Sequence, residues 1–72
     1  MRWSPDDLDR LERAITDGAR VQIFRRGTEL IVIPEDVRAR VGRDVLRARR
    51  VATGELDEFM LDEVDAFEVL DG

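Results

Sequence analysis

The stretch Asp44-Val45-Leu46-Arg47-Ala48-Arg49-Arg50-Val51-Ala52-Thr53-Gly54-Glu55-Leu56-Asp57-Glu58-Phe59-Met60-Leu61 decides the fold class. It reads as two β-strands, about 44–52 and 55–61, either side of Thr53-Gly54, a plausible hairpin apex. A two-residue loop there sets Arg50 opposite Asp57, Arg49 opposite Glu58, Ala48 opposite Phe59 and Leu46 opposite Leu61. Side chains alternate across a strand, so one face carries Leu46, Ala48, Phe59 and Leu61. The other carries Val45, Arg47, Arg49, Val51, Leu56, Glu58 and Met60. The first face is the core by pattern. The cross-strand charge pairs support this register, although exposed pairs contribute only about 0.2–1 kcal/mol each.

Working outward toward the N-terminus, Val21-Gln22-Ile23-Phe24 lies in a strand of about 20–26, and Arg25-Arg26-Gly27-Thr28 reads as a tight turn. A second strand, about 28–37, is apolar on both faces through Leu30-Ile31-Val32-Ile33, which predicts cover on both sides. Pro34 cannot donate to a ladder and marks a strand end, an edge or a bend. Val37 to Val41 alternates as a strand does, yet Pro34-Glu35-Asp36 also suits the start of a short helix; strand or irregular extension is the reading taken. Gly42-Arg43 reads as a turn. Toward the C-terminus, a turn near Asp62–Asp65 precedes a last strand, about 66–70.

The segment before these strands is helical. Ser4 suits an N-cap, Pro5 the first helical position, and Asp6 and Asp7 the positive end of the helix dipole. Trp3 and Leu8 have the spacing of a hydrophobic staple. Leu8, Leu11 and Ile15, with Ala14 beside them, form the packing stripe of a helix over about 5–17, stopped by Gly18. Such a short helix is marginal alone and must lie on the strands.

Composition excludes several classes of function. The 72 residues suit one domain, 1–72, with a small core. There is no cysteine and no histidine, so disulfides, thiolate metal sites and the commonest general base are missing together. Without tyrosine as well, an enzyme has only carboxylates, hydroxyls and arginine to work with. No enzyme activity, metal or other cofactor is expected. The longest apolar run is four residues, far short of a membrane span of about 20, and no apolar signal core opens the chain, so a cytoplasmic protein with no membrane partner is expected.

All twelve basic residues are arginine, and they are unevenly placed. Residues 20–52 carry a net charge of +5, whereas residues 53–72 carry −8 and no base. These blocks pair within the fold or display opposed surfaces. The overall charge of −5 argues against non-specific nucleic-acid binding.

A helix followed by five short strands is the plan of an Sm-like, SH3-type barrel. The ordered series Leu11-Glu12-Arg13-Ala14-Ile15, Val21 to Gly27, Ile33-Pro34, Leu46, Phe59-Met60-Leu61-Asp62-Glu63-Val64 and Phe67-Glu68-Val69-Leu70-Asp71 resembles the WYL domain of bacterial transcriptional regulators. The resemblance runs nearly end to end. It implies an α+β, mainly β fold: an N-terminal helix and a five-stranded antiparallel Sm-like or SH3-like barrel. It also implies a regulatory or binding role, here as a stand-alone module without the winged helix-turn-helix that usually precedes the domain. The sequence departs from the family at telling places. Asp44-Val45-Leu46 stands where the family carries Trp-Tyr-Leu, and Met60 and Glu63 stand where arginines associated with nucleic-acid or nucleotide-like ligands are typical.

Two candidate sites follow. Arg25, Arg26, Arg47, Arg49 and Arg50 are candidates for an anion or nucleic-acid patch, because guanidinium forks suit phosphates; pairing with Glu55, Asp57 and Glu58 is the plainer reading. Val45, Val51, Leu56 and Met60 are candidates for a contact face, either toward a protein partner or second copy, or buried within the monomer. Protein–protein contact is the leading function, and nucleic-acid or nucleotide binding through the Arg patch the alternative. The acids from Glu55 to Asp71 lack the spacing and glycine of a calcium loop and read as a solvated edge. Trp3 and Phe24 read as packing aromatics before base-stacking ones.

Overall fold

Ser4 adopts extended backbone, its hydroxyl accepts from the Asp7 N–H at 3.1 Å, and the Asp7 carboxylate accepts from the Ser4 N–H at 3.1 Å. This reciprocal capping box starts α1, Pro5–Asp17. The helix stops where Gly18 enters the left-handed region at φ 65°, with its N–H donating to Ile15 and that of Ala19 to Ala14. A computed structural model describes residues 3–40 and 43–70.

Five strands follow: β1 Val21–Arg25, β2 Thr28–Arg40, β3 Arg43–Arg50, β4 Leu56–Met60 and β5 Ala66–Val69, with a 3₁₀ turn at Leu61–Glu63 before the last. They form one antiparallel sheet in the order β4-β3-β2-β1-β5. The α+β, mainly β class is therefore as expected from the sequence. The sheet is not closed: it has two ends, β4 and β5, and the chain crosses between them by the 3₁₀ turn instead of a ladder. Trp3 bridges part of that gap. Its indole N–H donates to the Leu61 carbonyl at 2.7 Å, and its ring stacks on Phe67 of β5 at 5.0 Å.

The ambiguous run after Pro34 is strand, and the thirteen-residue β2 accommodates it by a bulge. Pro34 pairs with Ala48 and Asp36 with Arg47, leaving Glu35 as the extra residue. The bulge reverses the alternation. Leu30, Val32 and Pro34 face the core before it, and Val37 faces the core after it. A proline within a sheet is tolerated at such a bulge, where the ladder is already interrupted. The turn expected at Gly42-Arg43 falls partly outside the described residues; Arg43 itself opens β3.

The β3–β4 hairpin keeps its expected faces but not its register. Leu46 pairs with Phe59 and Ala48 with Asp57, two residues away from the pairing a two-residue apex gives. Residues 51–54 form a longer loop, closed by Arg50 N–H to Glu55 carbonyl at 2.8 Å and Gly54 N–H to Arg50 carbonyl at 2.8 Å. Val51 leaves the hairpin because its N–H donates to the Ile31 carbonyl of β2 at 3.0 Å. A shift of two residues preserves alternation. Leu46, Ala48, Phe59 and Leu61 thus remain inward and are essentially inaccessible.

These four pack with Val21, Ile23, Val32, Val64 and Phe67, and with Leu11 and Ala14 from the helix. Ala14, not Ile15, is the second fully buried helix residue; Ile15 is only half-buried. No polar or charged residue is buried among the described residues.

Candidate functional site

The five candidate arginines do not form one patch. Arg25 and Arg50 lie on the core face, at the strand ends, where their guanidinium groups stand 5.0 and 6.0 Å from the Phe59 ring centre. They share the roof of a fully buried aromatic side chain. Arg50 is also bound to Asp57 at 2.7 Å, the ion pair expected from the sequence, although it now runs diagonally across the shifted register. Arg47 and Arg49 point to the opposite face. Arg49 pairs with Glu35 at 3.2 Å and donates to the Gly54 carbonyl at 2.7 Å. Arg47 stands between Asp36 and Glu58 in the ladder.

Arg26 is separate again. It occupies the β1–β2 turn at φ 50°, a left-handed conformation unusual for a side chain of this size, followed by Gly27 at φ 76°. Its N–H donates to the Asp65 carboxylate at 3.0 Å, and its guanidinium lies 3.6 Å from Glu63. The structure thus unites only Arg25 and Arg50, and the alternating pattern of β3 explains why Arg47 and Arg49 cannot join them.

The apolar candidates divide as well. Val45 is 3% exposed, which removes it from a contact face; Arg38 and Met60 stand beside it on the same face in the flanking strands. Met60 is half-buried. Val51 and Leu56 remain open, at 46% and 40%. Ile31 joins them at 43%, so the expectation that β2 is covered on both sides fails at this residue. Its exposure follows from the register: Ile31 faces away from the core beside Gln22.

Just past the end of β3, a slot of about 340 Å³ lies between Glu29-Leu30-Ile31 and Arg50-Val51-Ala52-Thr53. Arg50 belongs to both this slot and the Phe59 roof. A second depression, about 230 Å³, lies between the helix and β5 beside Arg10, Arg13 and Asp17. Arg10 there rests on Phe67 at 5.0 Å, which ties the helix to β5.

The hydrogen bond from Arg38 at 2.7 Å holds the Asp36 carboxyl below the ordinary range, aided by the charges of Arg38 and Arg47. This is an exposed ion pair on the outer face. Among the described residues no group of three or more Asp and Glu side chains is arranged to hold a metal ion, and no helix is long and apolar enough to cross a membrane.

One helix on a five-stranded antiparallel sheet, with a cation-roofed core end and an apolar slot, defines a small domain of the α+β class. Among solved structures, it is similar to proteasome accessory factor B/C (PafBC) of Arthrobacter aurescens, with a TM-score of 0.79 and 18% identity over 96% of this chain. The chain spans 12% of that protein, and at this identity the likeness bears on the fold alone. No protein-family model and no curated protein sequence matches it.

Proposed function

We propose that this domain is a non-catalytic binding or regulatory module that works through protein–protein contact at the β3–β4 corner. The observation that carries the reading is the pair Ile31 and Val51, two exposed branched side chains that line the slot, with Leu56 exposed at the start of β4. Single exposed apolar residues are ordinary, but two lining a preformed groove, with a third on the neighbouring strand, favour a contact surface. The structural neighbour is a proteasome accessory factor, which is compatible with a role exerted through contacts.

Nucleic-acid binding through arginines is the less supported reading. Of the five candidates, Arg26, Arg49 and Arg50 already have acidic partners, and the faces are split. Light scattering behind size exclusion tests self-contact, with Leu56→Glu as the control that should abolish it. A labelled single-stranded oligonucleotide tests the other reading. Salt-sensitive binding at low ionic strength supports the arginine patch, and its absence removes it.

A further inference from the structure

Arg25 is the one cation of the Phe59 roof that lacks an acid. Its guanidinium sits half-buried on the ring, and among the described residues it makes no hydrogen bond or ion pair. The acids at this corner are engaged elsewhere: Asp57 binds Arg50, Asp65 accepts from the Arg26 N–H, and Glu63 lies 3.6 Å from the Arg26 guanidinium. A guanidinium carries five N–H donors in a planar fork that matches a carboxylate. Stacking on Phe59 fixes that fork in place, so less freedom is lost when an anion arrives.

Resting on the protein-contact reading above, we infer that the partner is an extended peptide segment in which a bulky apolar residue neighbours Asp or Glu. The apolar side chain enters the slot against Leu30, Ile31 and Val51, and the carboxylate meets Arg25 on the Phe59 roof. Arg50 makes the two parts continuous, since it lines the slot and shares the ring. Charge complementarity selects the acid: the unpaired group at this end of the core face is a cation, and a basic segment would meet it with repulsion.

The test uses the whole chain labelled with ¹⁵N and three ten-residue probes, in which leucine alternates with glutamate, lysine or serine, plus a single-stranded oligonucleotide of similar length. The Glu/Leu probe is expected to move the amides of Leu30, Ile31 and Val51 together with the Arg25 side-chain Nε–H. Arg25→Gln should weaken that binding about tenfold, the loss of one charge-assisted pair, and Arg25→Lys should recover only part of it. Thermal melts of both variants show whether the fold survives the change. Should a variant not fold, competition by free acetate against the Glu/Leu probe on the unaltered chain gives the same answer: acetate weakens binding if the carboxylate is read. Equal binding by the Ser/Leu or Lys/Leu probe overturns the acidic partner and leaves the contact surface standing. Preference for the oligonucleotide overturns both, as does silence at Ile31 and Val51 with all three peptides.

Discussion

The Trp3 indole N–H reaches across the chain to the Leu61 carbonyl at 2.7 Å, joining the residue before the helix cap to the residue after β4. That bond closes the side of the sheet that no ladder closes. Trp3→Phe keeps an aromatic ring for the stack on Phe67 but leaves the Leu61 carbonyl without its donor. A loss of about 1–2 kcal/mol is expected. Urea unfolding of the two proteins measures it, and an unchanged midpoint would show that the helix docks without this bond.

The Glu35 bulge sets which side chains of β2 enter the core. Deleting Glu35 rejoins a regular alternation and sends either Val37 or the Leu30–Val32–Pro34 set to the wrong face. The expected result is loss of amide dispersion and of cooperative unfolding. Glu35→Ala keeps the extra residue and removes only an exposed pair with Arg49, so its cost should stay within about 0.5 kcal/mol. Two similar outcomes would mean that the bulge does not govern the register.

Asp36 gives the acid limb a defined sign. Its carboxyl is held below the ordinary range by the Arg38 hydrogen bond first, with the charges of Arg38 and Arg47 assisting. A group whose value is lowered by folding adds stability above its unfolded value, and that part is lost as pH falls through the folded value. Asp36→Asn should therefore be slightly less stable at neutral pH and should have a shallower decline below the ordinary aspartate range, near 4. Added salt should narrow the difference, since the pair is exposed. Circular dichroism during acid titration follows both effects.

Much of this fold is written locally. The capping residues Ser4 and Asp7, the stop at Gly18 and the turn at Arg26-Gly27 act within a few positions, and the helix range and first hairpin are legible from them. The faces of β3 and β4 are legible because alternation survives a slip of two residues. The slip itself is not, because it depends on Val51 donating to Ile31, a contact twenty residues distant in the chain. Barrel closure is likewise a property of the whole sheet.

The candidate site shows the same division. Leu56 and Val51 are recognisable as outward apolar residues, but Ile31 is hidden in a run that reads as doubly covered. Val45 obeys the same alternation and is nevertheless buried, since its cover comes from neighbouring strands. The acid-free position of Arg25 has no sequence signal: only the folded sheet brings it over Phe59, thirty-four residues away. What alternation does reveal is that Arg49 and Arg50 must part company.

Whether Val51 and Leu56 serve contact or folding is decided by the urea unfolding of a Val51→Glu, Leu56→Glu double variant. A contact surface predicts a midpoint close to that of the unaltered chain, with each substitution costing no more than about 0.5 kcal/mol. A fall of about 2–5 kcal/mol, the cost of damaging a core, would mean these residues close the monomer upon itself and would contradict the account.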